Sequence, residues 1–175
     1  MAPEVRFCST CGAGLTTGPP VTCGICGTSH WLNPKPCANA IIVRDDKVLL
    51  TRRAHPPWKD GWCAPGGFCE IGEHPIETAE REVLEETGLR VSVTAYIGVW
   101  VETYLDEHVT PAEVINVAYY RAVPLGGDES AFDPQEVSEL RWFDWDELPA
   151  ALAPPTTLAA VLAAVRSGRV LPDRP

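Results

Sequence analysis

The stretch Glu82-Val83-Leu84-Glu85-Glu86 constrains this chain more than any other. Three of its residues are glutamates at i, i+3 and i+4, so on a helix their carboxylates share one face. A helix lies over this stretch by its punctuation. Pro75 suits a first turn, Glu77 and Glu80 follow, and Gly88 stops the run. Ile76, Ala79 and Val83 fall on the opposite face and supply its anchor to a core. Like charges gathered on one face repel, which no helix selects for its own stability. A hard divalent cation removes the conflict, because Mg²⁺ takes oxygen ligands and suits phosphate substrates. The plain alternative is a solvated acidic face.

Two matched units near the start also point to metal. Cys8-Ser9-Thr10-Cys11-Gly12 and Cys23-Gly24-Ile25-Cys26-Gly27 are paired Cys-x-x-Cys-Gly turns. Four thiolates so arranged close a tetrahedron around Zn²⁺, and the following glycines let each backbone turn tightly. A segment this short does not fold on apolar burial alone, so metal binding would drive its folding. Four sulfur ligands leave no open position, which makes the expected zinc structural. Disulfides or a redox pair are the competing readings. Cys37, Cys63 and Cys69 have no partner at ligand spacing and read as small buried hydrophobes.

Pro34 and Pro36 mark an extended connector, and the domain boundary is placed near residue 35: a zinc ribbon over 1–35 and a larger domain over 36–175. Within the latter, strands are expected at 40–43, 47–50, 91–101, 114–123 and 140–143. Helices are expected at 75–87 and 156–166, a loop at 54–61 and an acidic loop at 124–138. This is an α+β reading. The net charge of −10 opposes non-specific contact with nucleic acid. It also means that an enzyme acting on phosphates needs cations in its site. The first residues, MAPEVRFCST, show no basic segment followed by an apolar run, and no stretch reads as a membrane span, so a cytoplasmic location is expected.

The segment from Gly67 to Leu89 resembles the Nudix box position for position. The box is Gly, five residues, Glu, seven residues, Arg-Glu, an aliphatic residue, any residue, Glu-Glu, any residue, Gly and an aliphatic residue. Here these are Gly67, Glu73, Arg81, Glu82, Val83, Glu85, Glu86, Gly88 and Leu89. The resemblance covers about residues 38–170. It implies an α/β/α sandwich with a mixed sheet, here preceded by the four-cysteine ribbon, and hydrolysis of a nucleoside diphosphate linked to another moiety. It implies that Glu82, Glu85 and Glu86, helped by the Gly67 carbonyl, hold Mg²⁺ or Mn²⁺. Arg81 would order the carboxylates by pairing with Glu73. Glu85 or Glu86 would take a proton from water, and Glu136 sits where many relatives place a further acidic group. Homodimers are common in the family, which leaves that state open here.

A ribbon directly before a Nudix domain is similar to the NADH pyrophosphatases and their ADP-ribose-hydrolysing relatives. Those pyrophosphatases carry a larger domain before the ribbon and a Ser-Gln-Pro-Trp-Pro-Phe-Pro signature after the box. Here the region after the box reads Tyr96-Ile97-Gly98-Val99-Trp100-Val101-Glu102-Thr103-Tyr104. ADP-ribose, cleaved to AMP and ribose 5-phosphate, is therefore expected ahead of NADH. Three alternatives stand beside it: a house-cleaning hydrolase of oxidised nucleotides such as 8-oxo-dGTP, a ligand-binding regulator that uses the ribbon to bind a partner, and an isomerase on isoprenoid diphosphates. For substrate contacts, Arg52 and Arg53 are candidates for phosphate oxygens, against the reading of two surface arginines. Trp100 and Tyr104 are candidates for stacking on a base, against core packing. Trp62 reads as a packing residue beneath the loop before Gly67.

Overall fold

A computed structural model describes residues 5–16, 18–104 and 113–168. The N-terminal part is a pair of turns joined by a two-stranded hairpin, β1 (Val21–Thr22) and β2 (Ser29–His30). The remainder is built on one mixed sheet. Its strands are β3 (Lys35–Arg44), β4 (Lys47–Arg53), β5 (Trp62–Cys63), β6 (Gly66–Phe68), β7 (Leu89–Tyr104), β8 (Glu113–Gly127) and β9 (Val137–Asp144). The order is β5-β4-β3-β8-β7, with β6 also pairing β3 and β9 pairing β4. Only β3–β8 is parallel among these pairs.

Alternation along β3 sorts the core into two layers. Ala38, Ala40 and Ile42 pack under α1 (Pro75–Thr87) with Ala79 and Val83. Cys37 and Ile41 face the other way, with Leu50, Val117 and Tyr119, onto Leu158, Val161 and Leu162 of α2 (Pro155–Arg166). Successive strand residues point to opposite faces, so one strand feeds both layers and the sheet is covered by a helix on each side. This is the α/β/α sandwich. Cys37 and Cys63 are buried and Cys69 half-buried. Trp62 packs edge-on against Phe143 with ring centroids 4.8 Å apart. No helix of the described residues is long and apolar enough to cross a membrane.

The sheet is longer than its apolar patterns suggest. β3 starts at Lys35, since the extended backbone that Pro34 and Pro36 impose is already strand-like and pairs with Ile115 and Asn116 of β8. β8 runs on to Gly127 instead of giving way to a loop at 124, because Pro124, Gly126 and Gly127 pair with Val91, Arg90 and Leu89. The expected acidic loop is thereby reduced to a 3₁₀ turn (Glu129–Ala131) and the residues leading into β9. β9 in turn pairs along all of β4.

α1 begins with a reciprocal cap. His74 Nδ1 accepts from the Ile76 N–H at 3.2 Å, and Glu77 accepts from the His74 N–H at 2.9 Å. It ends at Gly88 in the left-handed region, φ +70°, where the N–H bonds to Leu84 O. A Cβ here would stand 2.1 Å from the Asp128 carbonyl oxygen. Gly88→Ala combines that clash with left-handed strain, so we expect a loss of roughly 2–4 kcal/mol of stability by chemical denaturation of the intact protein. A loss under about 0.5 kcal/mol would show that the end of α1 moves freely.

Candidate functional site

The site is assembled by the turn between β5 and β6 and the inner face of α1. Asn39 Nδ2 donates to Ala64 O at 3.0 Å and the Ala40 N–H to Pro65 O at 2.9 Å, which lays Pro65-Gly66-Gly67 flat across β3. A side chain at Gly66 would collide with the β3 backbone, 2.3 Å from Ala38 O. One at Gly67 would lie 2.5 Å from the Glu82 carboxylate. Glycine at both positions thus lets α1 bring its acids up to the loop. The Gly66 N–H donates to Glu86 Oε2 at 3.1 Å.

Arg81 organises the helix face. Its Nε donates to Glu73 Oε1 at 2.8 Å and one Nη to Glu73 Oε2 at 3.0 Å, a two-pronged pairing. The other Nη reaches Glu82 at 2.9 Å and Glu85 at 3.0 Å, and Phe68 O is a further acceptor at 3.2 Å. The Arg81 bonds, with the Glu70 N–H and Thr78 hydroxyl, hold the Glu73 carboxyl down to about 2. Glu73 is thus an ionised clamp on Arg81.

A cleft of about 470 Å³ opens over this face, lined in part by Arg53, His55, Gly67, Glu82, Glu86 and Glu136. The structure therefore brings Gly67, Glu82, Glu86, Glu136 and Arg53 together. Burial pushes the Glu86 carboxyl up to about 8; Glu82 and Glu136 add to the rise, while the Gly66 N–H and Arg53 oppose it. Burial also raises Glu82, against the pull of Arg81. Glu82 and Glu86 resist ionising together where burial strips them of water, a conflict that a hard divalent cation resolves. The oxygen-only donor set and the side-chain-free Gly67 fit such an ion.

Other candidates lie elsewhere. Glu85 is more than half exposed and held by Arg81, outside the cleft lining. Arg52 points away as well, onto Asp60 at 3.3 Å and Glu139 at 3.9 Å. Trp100 packs edge-on against Tyr119 at 5.3 Å on the α2 side of the sheet. The side chain of Tyr104 lies outside the described residues. His55 and Phe68 line the cleft without having been singled out in the sequence. His55 sits in a proline-rich loop with no periodicity to point inward, and Phe68 reads in isolation as an ordinary strand residue.

The second centre is the cysteine cluster. All four sulfurs lie within 4.8 Å of one another, with Cys8–Cys26 at 3.5 Å and Cys11–Cys23 at 3.7 Å. Thiolates about 2.3 Å from Zn²⁺ at tetrahedral angles stand about 3.8 Å apart, so the spacing suits that ion. Gly12 and Gly27 take φ of +74° and +77°, and each donates its N–H back to the first cysteine of its pair at 2.9 Å. His30, also not anticipated, places Nε2 3.2 Å from Cys8 Sγ. Among the described residues no other group gathers three such ligand atoms this closely.

Residues 33–163 match the NUDIX domain. The chain belongs to the Nudix family. It is 35% identical over 119 residues to an ADP-ribose pyrophosphatase of Methanocaldococcus jannaschii, covering 68% of this chain and 67% of that one. It is 33% identical over 168 residues to the NAD-capped RNA hydrolase NudC of Vibrio atlanticus, covering 93% of this chain and 57% of the relative. The chain thus spans little more than half the length of that Nudix relative. Among solved structures, a NUDIX hydrolase from Nitrosomonas europaea superposes with a TM-score of 0.74 at 29% identity, covering 94% of each chain. This Nudix chain therefore combines an intact box and a mixed sheet between two helices with a cysteine cluster that lies before the matched domain.

Proposed function

We propose that this chain hydrolyses the diphosphate bond of a nucleoside diphosphate linked to another moiety, with ADP-ribose as the substrate and AMP and ribose 5-phosphate as products. The observation that carries the reading is the convergence of Glu82, Glu86 and Glu136 on one cleft beside Arg53 and Gly67. An ADP-ribose pyrophosphatase and NudC enzymes among the relatives support the substrate class. Glu82 and Glu86, with the Gly67 carbonyl, would hold Mg²⁺ or Mn²⁺, and Glu85 would join by releasing Arg81. The bound ion supplies charge neutralisation of the diphosphate and a water of lowered pKa.

The chain's own groups do the rest. Arg81, pinned by Glu73, fixes Glu82 in place. Arg53 lies in the cleft as the cation for a phosphate oxygen. Glu86 or Glu136 takes the proton of the attacking water. The cysteine cluster takes a structural Zn²⁺ and forms a ribbon unit over residues 1–35, with the Nudix domain over 36–175. Tyr104 and Arg52 keep no assigned contact with substrate in this reading.

Incubation with ADP-ribose, NADH and 8-oxo-dGTP in Mg²⁺, with products followed by chromatography, tests it. AMP from ADP-ribose is expected, with turnover of NADH and 8-oxo-dGTP lower by at least about tenfold, or 1.4 kcal/mol of transition-state discrimination. Preferred turnover of 8-oxo-dGTP would move the chain to the house-cleaning class. No turnover of any would favour a ligand-binding regulator.

A further inference from the structure

His30 stands apart from the cysteine turns in sequence and meets one of them in space. It forms β2 with Ser29, and the alternation of a strand turns Ser29 to solvent and His30 inward, where it is buried. Its Nε2 lies 3.2 Å from Cys8 Sγ, across 22 residues of chain. Cys8 is buried, whereas Cys11 and Cys26 are exposed. Water therefore has little access to the Cys8 sulfur, and the protein must supply its hydrogen bonds. The N–H groups of Thr10 and Cys11 also face it. Donors gathered on one sulfur suit a thiolate, the form that a metal binds.

Two facts of geometry place the imidazole outside the sulfur tetrahedron. The four sulfurs lie within 4.8 Å of one another, and no nitrogen of His30 belongs to that set. A nitrogen bound to the same ion, about 2.0 Å from it, would stand about 3.6 Å from a thiolate at about 2.3 Å. Nε2 is closer to Cys8 than that. A thiolate on a metal has no proton to give, so Nε2 must be the donor in this contact. Four thiolates around one divalent ion also leave an excess of negative charge, in a chain of net charge −10. An N–H aimed at one of these sulfurs offsets part of it.

We propose that His30 is a positioning residue of the cysteine centre: its Nε2–H donates to the Cys8 thiolate, holding that sulfur in place and tying the β1–β2 hairpin to the first cysteine turn. The inference rests on the reading of the cluster as a zinc site. It adds to the two Cys-x-x-Cys units a fifth residue, contributed by the strand that follows them.

Zinc affinity of the intact protein, measured by competition with a chromophoric chelator, is the test, with His30→Phe and His30→Gln beside the wild type. Phenylalanine keeps a buried ring and removes the donor. Glutamine loses the ring and keeps an N–H at a similar reach. Residues that hydrogen-bond to metal ligands typically carry 10–100-fold in metal affinity. His30→Phe is therefore expected to weaken zinc binding by roughly 10–100-fold and to speed zinc release to the chelator. His30→Gln is expected to recover most of that loss. Equal affinity in the wild type and His30→Phe overturns the proposal. An equal loss in both variants overturns it too, since the ring would then act by packing. With cobalt(II) in place of zinc, the wild type is expected to show the visible spectrum of four sulfur donors. A spectrum of three sulfurs and one nitrogen would make His30 a ligand and overturn the proposal. A wild type that binds no zinc would reject the zinc reading and this inference with it, whereas zinc bound equally by the wild type and His30→Phe would reject this inference alone.

Discussion

Glu86→Gln is expected to lower kcat for diphosphate hydrolysis by roughly 10²–10⁴-fold, the range for losing a positioned proton acceptor or an anionic metal ligand, while making the metal-free protein more stable at pH 8 and above. Both halves come from one arrangement. The carboxyl is buried beside Glu82 and Glu136, so its folded pKa stands at about 8, against about 4.3 in an unfolded chain. Between those values the folded state holds a proton that the unfolded state has released. Stability therefore falls as pH rises through this window and levels off above about 8. Glutamine mimics the protonated form, so wild type and variant should melt together below about pH 4 in chelator and separate progressively up to about pH 8. Mg²⁺ should restore the wild type and not the variant. Melting curves over pH with and without Mg²⁺, alongside turnover of ADP-ribose, check this. A variant that keeps wild-type kcat, or that is destabilised at pH 8 in chelator, would remove Glu86 from the metal site.

Loss of the zinc proposed for the cysteine cluster is expected to have the larger structural effect. The segment from Val5 to Asn33 buries few apolar side chains: Cys8, Cys23 and His30 are the buried residues among those described there, while Phe7, Ile25 and Trp31 are largely exposed. Structural zinc contributes on the order of 10–16 kcal/mol in small cysteine sites near pH 7, more than such a core can supply. Protein purified without chelator should carry one zinc per chain by elemental analysis. Cys11→Ser or Cys26→Ser should lower that content to near zero. Amide exchange over residues 5–33 should then rise to unprotected rates, while β3, β8 and α2 keep their protection because the sheet has its own two-layered core. Full protection of the ribbon without metal would show that the cysteines pack without it.

Much of the Nudix domain was legible because its signals are local. The run from Pro75 to Gly88 contains its own start, stop, apolar face and charged face, and α1 occupies those residues. The pairing of Arg81 with Glu73 follows from the box and is present in the structure. The cysteine turns repeat one pattern, and both Gly12 and Gly27 take the left-handed geometry that it requires. The ends of the strands were less legible. Pro36, Pro124 and Gly127 carry breaker signals, yet each sits in a strand because a partner strand supplies the pairing. Local propensity is a weak guide where cross-strand contacts decide.

Sequence alone determined the charge that must be neutralised and the residues that could hold the ion, since Glu82, Glu85 and Glu86 share a helix face at any orientation of that helix. Tertiary structure decided which acids meet. Glu136, fifty residues after Glu86, enters the cleft because β9 pairs along β4, and Glu85 leaves it because Arg81 holds it outside. The same pairing separates Arg53 from Arg52, adjacent residues sent to opposite faces of a strand, so that only Arg53 faces the carboxylates. Spacing along a chain specifies neighbours on one element, and only packing between elements brings together groups that are far apart in sequence.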